Sequence, residues 1–277
     1  DGGNDYKRLK AFYYKEIPST ELTGEENFLE FDAVNSSAEI FWNGKSIFTH
    51  HGGYSRFRVK IPANDVKETN LLTVTADNSP NETVYPQTAD FTFYGGIYRS
   101  VKLISVPSAH FDLEYYGAPG IMVTPEIKGD NADVKVRAYT KNAEGAALKF
   151  TILDGETVVC EAETDKKDTD TALTINNVHL WNGRKDPFLY TLKAELIKNG
   201  EVLDTVSTRF GCRTFSVDPE KGFILNGKEY PLRGVSRHQD YPEKGNALSY
   251  EDHKRDIDLI LEVGATTIRL AHYQHAL

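Results

Sequence analysis

The chain has 277 residues, of which 39% are hydrophobic and 11% aromatic, and this is enough for two or three domains with sizeable cores. Its 41 acidic against 32 basic residues give a net charge of −9, which argues against nucleic acids and anionic membranes as partners. Its two cysteines, Cys160 and Cys212, are too few for a disulfide scaffold and are expected to be buried free thiols. The sequence contains no run of about 18 apolar residues, so no membrane-spanning helix is predicted.

Residues 1–108 are predicted to form short β-strands joined by turns. The strand-like residues 38–42 alternate in part, and residues 57–61 alternate apolar and polar side chains, as a strand with one buried face does. Asn43-Gly44 follows the first of these runs, and both residue types accept the positive φ that a two-residue hairpin turn requires. This pattern predicts a β-sandwich or jelly roll.

Residues 109–213 form a second segment that is predicted to be all-β. Residues 134–139 and 192–197 alternate in the same way, and Asp154-Gly155 and Asn199-Gly200 supply hairpin turns. About seven short strands within about 100 residues are typical of an immunoglobulin-like sandwich.

From residue 214 onwards the pattern predicts a strand, a helix and a second strand. Ser249 and Asp252 have the spacing of a capping box at the start of the helix, and Gly264 fits its end. Apolar and β-branched residues at 232–235 and 266–270 predict the two strands.

Polar side chains follow both of these strands. A strand, a crossover helix and a strand make a parallel unit, and in a β/α barrel active sites gather at the C-terminal ends of the strands. We therefore expect Arg237, His238 and His272 to lie at one rim of such a barrel.

Four stretches of the sequence resemble family 2 glycoside hydrolases, in particular the N-terminal portion of the β-galactosidase group. They are D-F-T-F-Y-G-G-I-Y-R at 90–99, L-W at 180–181 with P-F-L-Y at 187–190, R-G-V-S-R-H-Q-D at 233–240, and I-R-L-A-H-Y at 268–273. The 34 residues from His238 to His272 match the spacing of that family's two sugar-contacting histidines. The family more often has Asn-Arg-His-Glu where this chain has Ser-Arg-His-Gln at 236–239, and this departure weakens an assignment to any one substrate.

The resemblance implies a mainly β chain with three parts. These are a sugar-binding jelly-roll β-sandwich at 1–108, an immunoglobulin-like β-sandwich at 109–213, and the first strand–helix–strand of a truncated TIM (β/α)8 barrel at 214–277. The jelly roll is expected to be shortened at its N-terminus as well.

For the site, the resemblance implies that His238 and His272 contact the hydroxyl groups of a sugar. Neutral imidazoles suit this role because they both donate and accept hydrogen bonds. Asp90 is expected to bind a sugar hydroxyl or a monovalent cation that bridges to one, and the alternative is a loop aspartate that makes a turn. Arg237 and Arg269 are expected in the same substrate-binding site, where they orient carboxylates, and structural ion pairs are the alternative.

The function that the resemblance implies is the hydrolysis, with retention, of terminal β-galactosides, and a β-glucuronide or β-mannoside is the alternative substrate. A non-catalytic carbohydrate-binding or adhesion module, or a structural brace, is the alternative outside the enzymes. Retaining glycosidases need two carboxyl groups about 5–5.5 Å apart, and in this family they are glutamates late in the barrel, the first in an Asn-Glu pair. No Asn-Glu pair follows residue 231, so both glutamates are expected beyond Leu277 and the chain is expected to be inactive alone.

The resemblance also sets expectations for cofactors and partners. No cofactor is expected within these residues, whereas Mg²⁺ and Na⁺ are expected in the complete enzyme. The expected partner is a β-linked galactoside or related sugar, without nucleic acid or membrane, and the complete enzyme is expected to be a homo-oligomer. A cytoplasmic location is favoured, or a periplasmic or secreted one if a signal peptide has been removed.

Overall fold

The computed structural model describes residues 7–85, 89 and 91–272. In this part the chain is mainly β, as predicted, with one α-helix and three short 3-10 turns at Ser19–Glu21, Ala63–Asp65 and Gly183–Lys185. Two compact units are present: one combines Asp1–Val106 with Ser236–Val263 and Ile268–Leu277, and the other combines Pro107–Val235 with Gly264–Thr267. None of the helices in the described residues has the length and apolar character needed to cross a bilayer.

The first sandwich consists of two antiparallel sheets. Its strands are β1 (Lys10–Pro18), β2 (Glu26–Phe31), β3 (Val34–Asn35), β4 (Ser37–Trp42), β5 (Lys45–His51), β6 (Phe57–Lys60), β7 (Thr69–Asp77), β8 (Gly96–Ile97) and β9 (Val101–Val106). One sheet has the order β1-β7-β4-β5 and the other β6-β2-β9, while β3 pairs with β8 alone. Alternate apolar side chains of both sheets form the core, and among the most deeply buried are Leu29, Phe31, Ile40, Trp42 and Val74.

The second sandwich is built in the same way, as the alternating pattern predicts. Its strands are β10 (His110–Phe111), β11 (Ile121–Lys128), β12 (Asn131–Ala138), β13 (Thr140–Lys141), β14 (Ala147–Asp154), β15 (Thr157–Thr164), β16 (Thr171–Ile175), β17 (Tyr190–Lys198) and β18 (Glu201–Phe210). The two main sheets have the orders β11-β12-β16 and β15-β14-β17-β18, and β10 pairs with β13. Its core contains Phe111, Val134, Phe150, Ile152 and Leu192.

Both cysteines are free thiols, but only one of them is fully buried. Cys212 lies in the core of the second sandwich, and burial raises the pKa of its thiol to about 11. Cys160 is only half-buried, which corrects the expectation from sequence. The reason is that its strand, β15, is the edge strand of its sheet.

The predicted hairpin turns form, and one of them lies one residue later in the chain than predicted. Asn43 and Gly44 take φ of 52° and 86°, and Asn199 and Gly200 take 53° and 81°, as two-residue turns require. Between β14 and β15, however, Asp154 pairs with Thr157, so this turn consists of residues 155 and 156 rather than 154 and 155.

The remaining residues form the predicted strand–helix–strand after a small sheet. The elements are β19 (Phe215–Asp218), β20 (Gly222–Leu225), β21 (Lys228–Glu229), β22 (Gly234–Arg237), α1 (Tyr250–Glu262) and β23 (Thr267–Leu270). The capping box forms, because the Ser249 hydroxyl accepts from the Asp252 amide and the Asp252 carboxylate accepts from the Ser249 amide. A hydrogen bond from Lys244 and the Ser249 N–H together lower the pKa of Asp252 to about 2.

Candidate functional site

Two neighbouring strands run parallel and end side by side. The Thr266 amide donates to the Arg233 carbonyl at 2.7 Å, and the Ala271 amide donates to the Arg237 carbonyl at 3.1 Å. Since the residue numbers rise together along both strands, β22 and β23 are parallel. The residues that follow their C-terminal ends therefore meet at one edge.

The two histidines that were singled out from the sequence lie together at this edge. The ring centroids of His238 and His272 are 5.1 Å apart, and the rings are inclined at 72°. The imidazole of His238 is half-buried and that of His272 is exposed. Two histidines that are 34 residues apart in the sequence are thus in contact at the ends of neighbouring strands.

A third ring, from Phe91, accompanies the two histidines. Its centroid lies 5.9 Å from that of His272, at an interplanar angle of 22°, and 6.4 Å from that of His238. Phe91 comes from the segment before β8, so the first sandwich contributes directly to this site. Asp90, the predicted sugar or cation ligand, lies outside the described residues, and only its neighbour is placed.

Arg269 contacts His272 directly. Its Nη2 atom lies 3.0 Å from Nδ1 of the imidazole. A guanidinium can only donate hydrogen bonds, so Nδ1 is the acceptor and the neutral ring carries its proton on Nε2. In the described residues, this predicted site residue therefore contacts one of the two histidines.

Arg237 forms an ion pair with the helix. Its Nε and Nη2 atoms lie 2.8 and 2.6 Å from Oδ2 of Asp256, and Nη2 also lies 2.9 Å from Nδ1 of His253. Burial and the charge of Arg237 lower the pKa of His253. The Tyr241 hydroxyl donates to the other oxygen of Asp256 at 2.5 Å, and this hydrogen bond raises the pKa of Tyr241. Arg237 thus ties the end of β22 to α1, which is the structural alternative considered from the sequence.

An open cleft of about 810 Å³ adjoins the rings of Phe91 and His238. Its lining includes Phe91, Tyr94, His238, Tyr241, Glu243 and Lys244. The loop from Tyr241 to Gly245 forms one wall and is closed by two backbone hydrogen bonds between these two residues, at 3.1 and 3.0 Å. Gly245 packs directly on the ring of Tyr94, since a Cβ there would be 2.9 Å from it.

Sequence reasoning did not select Phe91, Tyr94 or the loop from Tyr241 to Gly245. A signal existed for Phe91, which stands next to Asp90 in the stretch 90–99. The loop offered none, because it is closed by backbone atoms and its side chains show no pattern.

The arrangement is suited to a polyhydroxylated ligand. Two imidazoles offer donors and acceptors for hydroxyl groups, and the Phe91 ring offers an apolar face. Within residues 7–85, 89 and 91–272, no group of three histidine, cysteine, aspartate or glutamate side chains is placed to hold a metal ion.

Comparison with known families gives three adjoining matches. The family model described as glycosyl hydrolases family 2, sugar binding domain, matches residues 9–107. The model described as glycosyl hydrolases family 2 matches residues 119–213, and its TIM barrel domain model matches residues 217–277.

Individual relatives agree with these matches. A β-glucuronidase of Bacteroides fragilis is 40% identical over 99% of this chain and 41% of its own length. The β-galactosidase BoGH2A of Bacteroides ovatus is 31% identical over 88% of this chain and 29% of its own length. The crystal structure of an FMN-binding β-glucuronidase from Facaelibacterium prausnitzii L2-6 is 42% identical, with a TM-score of 0.94 over 99% of this chain and 43% of that one. The chain thus spans less than half the length of these relatives.

Proposed function

Because the chain belongs to glycosyl hydrolase family 2, we propose that it forms the sugar-binding front of a β-glycoside hydrolase. The observation that carries this proposal is the pair of imidazoles, His238 and His272, whose ring centres lie 5.1 Å apart at neighbouring strand ends. Phe91 from the first sandwich contributes a third ring to the same site. A carbohydrate-binding or adhesion module has no need of parallel strands that bring two histidines to one edge.

In this proposal the two imidazoles bind hydroxyl groups of the sugar ring. The hydrogen bond from Arg269 to Nδ1 of His272 directs the proton of that ring to Nε2, from which it can be donated to a hydroxyl oxygen. Hydrogen bonds that shorten as the sugar ring flattens lower the barrier, because they are stronger in the transition state than in the ground state.

The other predicted site residues take different roles. Asp90 is proposed to bind a sugar hydroxyl or a Na⁺ ion that bridges to one. Arg269 fixes the tautomer of His272, and Arg237 holds α1 through Asp256.

We propose a β-glucuronide as the first candidate substrate, because the relatives with 40% and 42% identity carry that name. A terminal β-galactoside, the substrate first expected from the sequence, is the second candidate, and it is supported by the relative with 31% identity. The histidines serve either sugar, since both offer ring hydroxyls.

The two catalytic carboxylates and any Mg²⁺ ligands are proposed to come from polypeptide outside these 277 residues. The proposal is supported by the lack of an Asn-Glu pair after residue 231 and by the share of the relatives that the chain spans, 41% and 43%. The complete enzyme is proposed to be a homo-oligomer.

The test replaces His272 by alanine in the complete enzyme. We expect kcat/KM for the better of nitrophenyl β-glucuronide and nitrophenyl β-galactoside to fall more than tenfold, or by about 1.4 kcal/mol or more, because transition-state contacts are lost. His179→Ala is the matched control, since His179 also stacks on a phenylalanine but lies in the second sandwich, and it should stay within about twofold of wild type.

Two results would contradict the proposal. One is a complete enzyme that releases nitrophenol from neither glycoside, and the other is a His272→Ala enzyme with wild-type kinetics. Release of nitrophenol by the isolated 277-residue chain would refute the placement of the catalytic carboxylates outside it.

A further inference from the structure

We propose that Asn35 and Asn78 are positioning residues of the cleft, whose buried amides hold residues 91–94 against the two histidines. The inference rests on the proposed function, because the placement of this segment affects a reaction only if the cleft binds the substrate.

Asn78 holds the segment from the end of β7. Its side chain is 6% exposed. Its Nδ2 donates to the Phe93 carbonyl at 2.8 Å, while its Oδ1 accepts from the Leu9 amide at 2.9 Å. One amide group therefore links the chain before β1 to the segment that lines the cleft.

Asn35 holds the next carbonyl from a different strand. Its side chain is 2% exposed, and its Nδ2 donates to the Tyr94 carbonyl. The backbone of Asn35 pairs with Gly96 where β3 meets β8. Two consecutive carbonyls are thus bound by side chains from two separate strands.

These bonds matter because residues 91–94 belong to no strand or helix. A segment without ladder hydrogen bonds needs other partners for its buried backbone groups. The asparagine amides supply them for two carbonyls, and their removal would leave the position of the segment poorly determined.

Two glycines allow the asparagine side chains to approach this closely. A Cβ at Gly95 would lie 2.7 Å from Cγ of Asn78, and a Cβ at Gly53 would overlap the amide of Asn35. Each amide thus occupies the space that a larger residue would fill, so the glycines and asparagines form matched pairs.

Both ends of the held segment contact the cleft. Phe91 lies against His238 and His272, and Tyr94 lies against Gly245 in the opposite wall. A displacement of about 1 Å in such a site can cost roughly a hundredfold in rate. We therefore expect loss of either asparagine amide to reduce kcat/KM, although neither Asn35 nor Asn78 lines the cleft itself.

The experiment uses the isosteric variants Asn35→Asp and Asn78→Asp in the complete enzyme. Each replaces the donating NH2 by an oxygen that faces a carbonyl. We expect kcat/KM to fall at least tenfold in both variants. Asn35→Ser and Asn78→Ser, which keep a donor in a smaller side chain, provide folded variants with an intermediate loss if the aspartates fold poorly.

Asn70→Asp is the matched control. Asn70 is fully buried in the same sandwich, and its Nδ2 donates to the carbonyls of Lys67 and Ile17 at 2.9 and 3.2 Å. Like Asn35 and Asn78, it donates hydrogen bonds to backbone carbonyls, but these carbonyls belong to residues that do not line the cleft. We expect it to lower the thermal midpoint as the other two do but to leave kcat/KM within twofold of wild type.

Amide hydrogen exchange separates positioning from general destabilisation. In the Asn35 and Asn78 variants, exchange should accelerate at residues 92–96, whereas in the Asn70 variant it should accelerate near Ile17 and Lys67. Unchanged exchange at 92–96 would overturn the proposal, as would faster exchange with unchanged kcat/KM, or an equal kinetic loss in Asn70→Asp.

Failure of the positioning role of Asn35 and Asn78 can be distinguished from failure of the proposed function. If the wild-type enzyme hydrolyses neither nitrophenyl glycoside, the proposed function fails. The exchange measurement then still decides whether the two amides hold the segment, because it does not depend on catalysis.

Discussion

Gly245 allows the loop of residues 241–245 to pack on Tyr94. It has a φ of +55°, and a Cβ there would lie 2.9 Å from the aromatic ring. Two separate requirements, a left-handed backbone and a close approach, therefore meet at one residue of the cleft. Each of them favours glycine.

Replacement of Gly245 by alanine should destabilise the cleft more than the backbone strain alone explains. The left-handed φ costs about 1–2 kcal/mol for a residue with a Cβ, and the collision with Tyr94 should add about 1–3 kcal/mol. Gly44→Ala is the control, since Gly44 has a φ of +86° with nothing within 4 Å of its Cβ position. Equal losses of thermal stability in the two variants would show that the collision with Tyr94 adds nothing to the destabilisation by Gly245→Ala.

Sequence predicted part of the site because some roles depend only on local pattern. His238 and His272 follow predictable strands, and the parallel pairing of those strands follows from the helix between them. Phe91 and the asparagine amides could not be placed in this way. Their contacts arise only when distant strands of the first sandwich assemble, and the pattern of a single sequence does not report which distant residues meet.

At the level of elements, α1 begins where its capping box predicts. The Asp252 carboxylate accepts hydrogen bonds from Lys244 at 2.8 and 2.9 Å, in addition to that from the Ser249 amide. The helix start and the cleft wall are thus coupled through one carboxylate, because Lys244 also lines the cleft.

Lys244→Met should make the start of α1 more sensitive to acid. The hydrogen bond from Lys244 is the largest cause of the lowered pKa of Asp252, about 2 in the native protein. A lowered pKa contributes stability above the unfolded value near 4, and this is lost as the pH falls through the folded value. Without Lys244 the folded value rises, so amide exchange at residues 250–253 should accelerate at a higher pH than in wild type.

Lys254→Met is the control for this measurement, since Lys254 pairs with Asp258 and not with Asp252. If both lysine variants fray at the same pH, the coupling between the cleft wall and the helix start is not supported.

The elements themselves were largely predictable, and the exceptions have local causes. Alternation of side chains identified the strands of both sandwiches, and Asn-Gly pairs located their turns. The turn after β14 moved by one residue because Gly155 supplies the positive φ while Asp154 remains paired with Thr157. The half-buried state of Cys160 depends on the order of strands in the sheet, which alternation does not report.

At the scale of a whole domain, a network of charged side chains lies on and beside β2, β6 and β9 of the first sandwich. Arg58 lies 2.7 Å from Glu30, Arg56 lies 2.8 Å from Asp32, and Lys102 lies 3.0 Å from both carboxylates. Burial raises the pKa of Glu30 and Asp32, but the hydrogen bonds from Lys102 and the arginines outweigh it, so both pKa values lie below the usual range. The side chain of Glu30 is only 6% exposed, so its partners are weakly screened.

The first sandwich should therefore lose stability as the pH falls below about 4. Lowered folded pKa values contribute stability above the unfolded values near 4, and this disappears as the carboxylates take up protons. Trp42 is buried in this sandwich, so its fluorescence in a Trp181→Phe background reports the thermal midpoint. Glu30→Gln should lower the midpoint at pH 7 and flatten its dependence on pH.

Glu126→Gln should leave that dependence unchanged, because Glu126 pairs with Lys128 on the second sandwich. A midpoint that does not move between pH 7 and pH 3 in the wild-type chain would contradict the role assigned to the network.

The two thiols of the second sandwich differ in burial, so the ratio of their alkylation rates can report how often its core opens. Only a thiolate reacts with alkylating reagents, and the raised pKa of Cys212, about 11, together with its complete burial, suppresses that form. Cys160 is half-buried on an edge strand, and burial raises its pKa as well, so it serves as the less protected reference under the same conditions. The ratio of the two labelling rates therefore measures how often this core exposes its interior, without any engineered probe.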